Sequence, residues 1–370
     1  MNRFKLIGGI ALSLALVGGL ALSLLSGGGT TSTPAATPSA RSGFFGITQG
    51  IRLDERDLQT MAATGVGEDR IQLIWGSVQP NQVSFNWTRT DQLIGALAAH
   101  GIRSVPFVWG SARWVTSPPA HPPLDTAPDE KAWQDFLQAA VARYGPGGSF
   151  WDTIYRQRYG ADAKPLPIQS WQIWNEPNLT KYFAPGPSVE QYARLLQISH
   201  DAIKERDPQA QIVLAGMPGF GDVNAWDFLD SLYSAPGTKG DFDAVALHPY
   251  ARDLDQLRLG IEKIRAVMKE HGAQGTPLWI TELGWGSAPP DSFGLNKGLN
   301  GQARLLSGSF RLILHHRKAW NVERLFWFDW RDPVNPEAVR CSFCASAGLL
   351  RSDRTRKPAY EAFRLFARAR

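Results

Sequence analysis

Two glutamates that are far apart in the sequence have the residue type and the setting needed for acid–base and nucleophilic chemistry. Glu176 lies in the Trp-Asn-Glu-Pro sequence at 174–177, and Glu282 ends the apolar run at 278–282. Attack on a glycosidic bond requires two carboxylates that flank the bond. The pair therefore predicts glycosidic-bond chemistry, provided that the fold brings the two side chains together.

Each motif also has an interpretation without catalysis. An Asn-Glu-Pro sequence is common where a helix begins, because Pro suits the first turn and Glu suits the helix dipole. A Glu that ends an apolar strand is often a solvated edge residue or an ion-pair partner. Two neighbouring patterns favour catalysis, since His-Pro-Tyr ends the apolar run at 245–250 and an aromatic run at 325–330 follows.

The elements that would position these residues are short apolar runs that alternate with helical patterns. Such runs are typical of parallel strands that are buried on both faces and joined by crossover helices. The sequence therefore predicts an α/β fold, a (β/α)8 TIM barrel in which residues 44–370 form a single catalytic domain. The predicted strands are 44–48, 70–75, 104–109, 169–174, 211–215, 244–248, 278–282 and 324–328. The predicted helices between them are 91–100, 131–144, 189–206, 254–271 and 302–318.

The ends of the predicted strands are where function is expected, because ligands bind at the C-terminal face of such barrels. Successive side chains of a strand alternate between its two sides. Glu282 then shares a side with Leu278 and Ile280, and we expect both Glu282 and His248 to point inward.

Together these motifs resemble the retaining glycoside hydrolases of clan A. The resemblance rests on Trp-Asn-Glu-Pro at the fourth strand, His-Pro-Tyr at the sixth, Thr-Glu-x-Gly-Trp at the seventh and a Trp in the eighth. Tyr-Gly-Pro at 144–146 and the segments 348–350 and 357–360 are most similar to family 39, with family 5 next. Family 5 enzymes usually have a His at the end of the third strand, whereas this chain has Phe-Val-Trp-Gly at 107–110. The similarity covers roughly residues 44 to 368.

The resemblance implies a retaining mechanism in which Glu176 is the general acid/base and Glu282 the nucleophile. The carboxyl groups of retaining enzymes lie about 5 to 5.5 Å apart, and burial should raise the pKa of the acid. The resemblance also places Arg70 and Tyr250 beside the nucleophile, where they would favour its ionised form. It places Asn175 at the sugar 2-hydroxyl. The alternatives are a barrel-end ion pair for Arg70 and loop capping for Asn175.

Aromatic and imidazole side chains at strand ends are candidates for substrate binding. The chain has 14 Trp residues, and indole rings stack on the C–H faces of sugars, which makes Trp109 and Trp285 candidates. For any single Trp, packing in the core is the more usual role. The resemblance places Trp327 beneath the cleaved sugar. His248 is expected to orient the acid or contact a hydroxyl, and a satisfied core histidine is the alternative.

The N-terminal 43 residues have the composition of a targeting segment. Arg3 and Lys5 precede an apolar stretch at 6–25, and a segment rich in Thr, Ser, Pro and Gly follows. We expect a signal peptide or signal anchor at 1–28 and a linker at 29–43. The catalytic domain is then secreted or extracytoplasmic, and residues 6–25 anchor it to the membrane if they are not cleaved.

Cys341 and Cys344 are the only two cysteines. In the oxidising compartment that the leader implies, we expect a disulfide between them. A metal site would need further ligands, and none lie close in the sequence. We therefore expect no metal and no cofactor.

The net charge of +5 and the pI near 9.2 come from Lys and Arg spread over the chain. Such charge is usually solvated helix surface, and the alternative is attraction to an anionic polysaccharide or the cell envelope. No nucleic-acid-binding motif accompanies it.

We expect a monomer that acts on an oligo- or polysaccharide. A catalytically silent glycan-binding barrel would normally lack a carboxylate or the supporting Arg or Tyr, and this chain has all four.

Overall fold

Parallel strands form the centre of the protein. The structure, a computed structural model, describes residues 43–339 and 341–369. The predicted targeting segment and all of the predicted linker except Gly43 lie outside the described residues. Within the described ranges, no helix has the length and apolar character needed to cross a membrane. The strands are β1 (Phe45–Thr48), β2 (Glu68–Ile74), β3 (Arg103–Trp109), β4 (Ser170–Ile173), β5 (Gln211–Val213), β6 (Met217–Pro218), β7 (Val245–His248), β8 (Leu278–Leu283) and β9 (Val322–Phe328).

These nine strands occupy eight positions around a closed barrel. Their order in the sheet is β5-β4-β3-β2-β1-β9-β8-β7-β6, and every pairing is parallel. β5 and β6 are the two halves of one interrupted strand, because β5 pairs with β4 and β6 pairs with β7. A bridge between Val213 and Ala244 joins the two ends of the sheet. The predicted (β/α)8 barrel is confirmed, and the predicted strand at 211–215 is broken after Val213.

Helices surround the strands, and the predicted ones are present. They are α1 (Glu55–Thr64), α2 (Trp75–Val78), α3 (Thr88–Ala99), α4 (Ala127–Tyr144), α5 (Arg156–Tyr159), α6 (Val189–Arg206), α7 (Ala225–Ser234), α8 (Leu254–Glu270), α9 (Gly298–His316) and α10 (Pro358–Ala367). A π-helical turn at Trp151–Tyr155 and 3₁₀ turns at Thr238–Gly240, Pro336–Ala338 and Phe343–Ser346 complete the described helical segments.

Local sequence explains where several helices begin and end. The side chains of Asp54, Thr126, Ser188 and Asp253 each accept a hydrogen bond from a backbone N–H in the first turn of α1, α4, α6 and α8. Gly65 ends α1 at a φ of 94°, a left-handed conformation that glycine adopts without a steric cost. These ends fix where the chain turns back toward the next strand.

The core has two layers. A small inner cluster fills the barrel, and a much larger outer cluster lies between the strands and the helices. The inner cluster consists of Val105, Val213, Ala244, Ala246, Trp279 and Phe326. Because the side chains alternate along each strand, the neighbours of these residues face the helices. This alternation decides which strand-end residues can reach the mouth of the barrel.

Candidate active site

Glu282 reaches the mouth of the barrel because β8 is irregular. Ile280 and Leu283 pair with β9 residues that are two positions apart, so Thr281 and Glu282 face a single β9 residue, as in a β-bulge. The alternation predicted for this strand is wrong, since Trp279 belongs to the inner cluster and Ile280 to the outer one. The bulge restores Glu282 to the inner side.

Both oxygens of the Glu282 carboxylate accept strong hydrogen bonds. Arg70 Nη1 donates to Oε1 at 2.6 Å, and the Tyr250 hydroxyl donates to Oε2 at 2.7 Å. Burial, followed by the charge of Glu282, raises the pKa of Tyr250 well above 10, so its hydroxyl stays a donor. A guanidinium and a hydroxyl donor thus hold one carboxylate oxygen each and fix the orientation of the group. The structure therefore brings Arg70 and Tyr250 to Glu282, where the resemblance placed them.

Arg70 is fully buried on β2, and three polar side chains hold its guanidinium. Besides Glu282, it donates from Nε to Gln172 Oε1 at 2.5 Å and from Nη2 to Asn175 Oδ1 at 2.9 Å. Burial lowers the pKa of Arg70, and Glu282 opposes this shift. Its guanidinium carbon also lies 4.0 Å from the centre of the Phe107 ring. The sequence motifs did not point to Gln172. The only feature that could have suggested a role for it is its position on the inner side of β4.

Glu176 lies directly after β4 on a backbone that is unusual for its residue types. Trp174 has a φ of 71° and Glu176 a φ of 45°, in a region that non-glycine residues rarely occupy. The Glu176 N–H donates to the Gly216 carbonyl at 3.1 Å, which ties this turn to the break between β5 and β6. Burial raises the pKa of Glu176 to about 7, and the charges of Arg70 and Lys181 oppose that rise. The carboxyl group can thus carry a proton near neutral pH.

His248 lies between the two glutamates. Its Nδ1 is 2.8 Å from Glu176 Oε1 and its Nε2 is 3.6 Å from Glu282 Oε1. Burial lowers the pKa of His248 to about 3, so the ring is neutral near pH 7. A Cβ at Gly216 would come within 2.0 Å of His248 Nε2, so only glycine leaves room for the ring. His248 can therefore orient the Glu176 carboxyl without adding a positive charge.

The two glutamates, which are remote in sequence, lie close together at the C-terminal end of the barrel. One carboxylate oxygen of Glu176, one carboxylate oxygen of Glu282 and one ring nitrogen of His248 all lie within 4.8 Å of one another. The same proximity could serve a metal ion, but the Arg70 guanidinium already neutralises Glu282 at 2.6 Å and disfavours a second cation there. The arrangement fits a proton donor and a nucleophile on opposite sides of one bond.

The predicted tryptophans divide into one at the site and two in the core. Trp327 and Trp285 are fully buried, with ring centres 6.0 Å apart, and the Trp285 indole donates to the Ala251 carbonyl. The ring of Trp327 packs against Phe310 of α9 with 6.3 Å between ring centres, so the structure places both tryptophans in the core and exposes neither ring at the mouth of the barrel. Trp109 is partly exposed at the end of β3, and its indole N–H has no partner among the described residues.

The loop after β4 contributes a residue that the sequence reasoning did not select. The ring of Tyr182 lies edge-on to that of Trp109, with 5.9 Å between their centres. Burial raises the pKa of Tyr182, and the charges of Glu176 and Glu282 raise it further. The neighbouring Lys181 lies close enough to lower the pKa of Glu176. No motif marks this loop, and only its place at a strand end could have suggested it.

The disulfide loop supports the site from the other side. Cys341 and Cys344 are bonded to each other, which confirms the predicted disulfide. Phe343, between them, is buried with its ring edge-on to Tyr250 at 5.2 Å between centres. The loop therefore contacts the tyrosine that donates to Glu282.

A (β/α)8 barrel that holds two carboxylates at its C-terminal mouth has the architecture of a glycoside hydrolase. The sequence agrees, because the family model described as the glycosyl hydrolase catalytic core matches residues 153–350. The chain belongs to this family, and the predicted class, a glycoside hydrolase, is confirmed. A search of curated proteins found no significant match.

Solved structures of glycoside hydrolases share the fold. A family 39 glycoside hydrolase from Bacteroides cellulosilyticus WH2 has 19% identity and a TM-score of 0.62 over 87% of this chain and 63% of its own. A monomeric beta-xylosidase from Caulobacter crescentus CB15 has 20% identity and a TM-score of 0.65 over 89% and 69%. An intracellular xylanase from Thermoanaerobacterium saccharolyticum has 13% identity and a TM-score of 0.57 over 87% and 95%. The chain thus spans less than two thirds of the first of these proteins, and the family 39-like resemblance is confirmed in fold.

Proposed function

We propose that this protein is a retaining glycosidase in which Glu176 is the general acid/base and Glu282 the nucleophile. Glu176 gives its proton to the departing glycosidic oxygen while a Glu282 oxygen bonds to the anomeric carbon. Water then attacks that carbon, Glu176 takes the proton of the water, and the ester to Glu282 breaks. The observation that carries this proposal is that a carboxylate oxygen of Glu176 and a carboxylate oxygen of Glu282 lie within 4.8 Å of each other.

The surroundings of the two glutamates support different roles for them. Glu282 accepts hydrogen bonds from Arg70 and Tyr250, which fix the orientation of its carboxylate as a nucleophile requires. Glu176 is buried against neutral His248, and its pKa near 7 suits an acid that must hold its proton until the leaving group departs. Asn175, held by Arg70, is the candidate contact for the sugar 2-hydroxyl.

The proposed substrate is a β-linked oligo- or polysaccharide, cleaved by a monomer. Support comes from proteins of similar fold, which include a beta-xylosidase, a xylanase and an exo-beta-1,4-mannosidase. Partly exposed aromatic rings at the mouth, those of Trp109 and Tyr182, offer faces on which sugar rings can stack.

The test is hydrolysis of a panel of aryl β-glycosides, with NMR used to identify the anomer released first. Glu282→Gln should abolish turnover, whereas Glu176→Gln should retain the first step for substrates with good leaving groups. Glu323→Gln is the control, because Glu323 accepts a hydrogen bond from Trp279 at the opposite end of the barrel. Full turnover by Glu282→Gln, or first release of the inverted anomer, would refute the proposal.

We also propose that the catalytic domain is exported, through the segment at 1–28. The disulfide between Cys341 and Cys344 supports an oxidising compartment. Fractionation of cells that express the full chain, or a chain without residues 1–43, tests this, with mass spectrometry of the mature N-terminus. Full-length chain found only in the cytoplasm with both cysteines reduced would contradict it.

A further inference from the structure

Four aromatic rings form a continuous series from the proposed nucleophile to the surface of the protein. The series starts at Tyr250, which donates to Glu282, and continues to Phe343 at 5.2 Å between ring centres. Phe343 lies 6.1 Å from Phe293, and Phe293 lies 6.0 Å from Phe220. We call this series the aromatic rim. Its members come from the loops that follow β6, β7, β8 and β9, so it runs along the C-terminal face of the barrel.

The outer two members of the aromatic rim expose their rings to solvent. Phe220 is 40% exposed and Phe293 is 42% exposed, whereas Phe343 is 4% exposed. Large apolar side chains that lie together at the surface usually mark a binding site. The two exposed rings touch each other and connect through Phe343 to the residue that holds Glu282, so their position is continuous with the candidate active site.

A groove of about 240 Å³ is lined in part by Phe220. Its lining includes Tyr250 and Phe220 of the aromatic rim, Trp226 of α7 and Gln256 of α8. Lys263 places its ammonium 4.1 Å from the centre of the Trp226 ring. The groove thus combines aromatic faces with an amide and an ammonium group. Sugar units have the matching chemistry, because they present flat C–H faces and a ring of hydroxyls.

We propose that the aromatic rim and this groove form a distal subsite that binds further saccharide units of the substrate chain. The inference rests on the proposed glycosidase function and specifies where the saccharide units beyond the cleaved bond are bound. Phe220 and Phe293 provide the stacking surface, and Gln256 and Lys263 provide donors for hydroxyl groups. A saccharide bound at Glu176 and Glu282 extends past Tyr250 along this surface.

The experiment compares binding of a chain with hydrolysis of a single unit. In protein carrying Glu282→Gln, calorimetry measures the affinity for β-1,4-xylotetraose, cellotetraose and β-1,4-mannotetraose, with and without Phe220→Ser and Phe293→Ser. The two substitutions together should weaken the tightest tetraose by about tenfold. In otherwise native protein they should leave kcat/KM for an aryl monoglycoside within about twofold. Phe85→Ser is the matched control, because Phe85 is 38% exposed and stacks on Trp87 rather than on the aromatic rim.

Three results would overturn the distal subsite. They are unchanged tetraose affinity in the doubly substituted protein, an equal loss in Phe85→Ser, and no binding of any tetraose by Glu282→Gln. The proposed glycosidase function is judged separately, by turnover of aryl glycosides in native protein. Turnover with unchanged tetraose affinity rejects only the subsite, whereas rim-dependent tetraose binding without any turnover rejects only the catalytic function.

Discussion

Removal of the Tyr250 hydroxyl tests whether Glu282 is the nucleophile that the structure prepares. Tyr250→Phe deletes the 2.7 Å bond to Glu282 Oε2 and leaves the 2.6 Å bond from Arg70 to Oε1. The ring of Tyr250 stays between His248 and Phe343, so the packing is preserved. A hydrogen bond to a charged group contributes about 1.5–3 kcal/mol. We therefore expect kcat/KM for an aryl β-glycoside to fall roughly 10- to 150-fold.

A second tyrosine provides the matched control. Tyr144 also donates to a carboxylate at 2.7 Å, that of Asp91, but it does so between α4 and α3, away from the mouth of the barrel. Tyr144→Phe should lower the free energy of unfolding and leave kcat/KM of the folded enzyme unchanged. The assay is initial-rate kinetics on folded protein, with the folded fraction checked by circular dichroism. Equal activity in native protein and Tyr250→Phe, or equal losses in the two variants, would refute the reasoning.

Three further predictions concern residues whose roles the structure changes or adds. Burial raises the pKa of Glu176 to about 7, and the acid must be protonated, so kcat/KM should fall above about pH 7 in a pH–rate profile. Because the charge of Lys181 lowers this pKa, Lys181→Met should move the fall in kcat/KM to higher pH. Gly216→Ala would place a Cβ 2.0 Å from His248 Nε2. The fold loss in kcat/KM, measured by kinetics, should therefore exceed the fold loss in the folding equilibrium constant, measured by denaturant unfolding. Trp327→Ala should cost about 3–5 kcal/mol of unfolding free energy with KM unchanged in the folded protein.

Much of the framework could be predicted because it depends on regular repetition. Continuous apolar runs and helix-start residues follow from burial and capping, and they recur often enough along the chain to define a barrel. Once a barrel is expected, polar residues at strand ends must lie near one another, which is why Glu176, Glu282, His248 and Tyr250 could be selected before any contact was known, whereas Arg70 was selected only on the resemblance to clan A. The break after Val213 was not predicted, and neither was the close approach of Gly216 to the His248 ring, which is a contact between different strands.

Glu282 on β8 and Trp327 on β9 show why the strand face of a residue near a strand end could not be predicted from the sequence. Alternation assigns a side chain to a strand face only while the strand stays regular, and a one-residue irregularity reverses every later assignment. The bulge at 281–282 turns Glu282 inward even though Ile280 packs outward. On β9, by contrast, alternation holds and places Trp327 among the helices. A motif can therefore identify the residue type at a strand end, but the face that it occupies depends on pairing with the neighbouring strand, and single-sequence patterns do not encode that pairing.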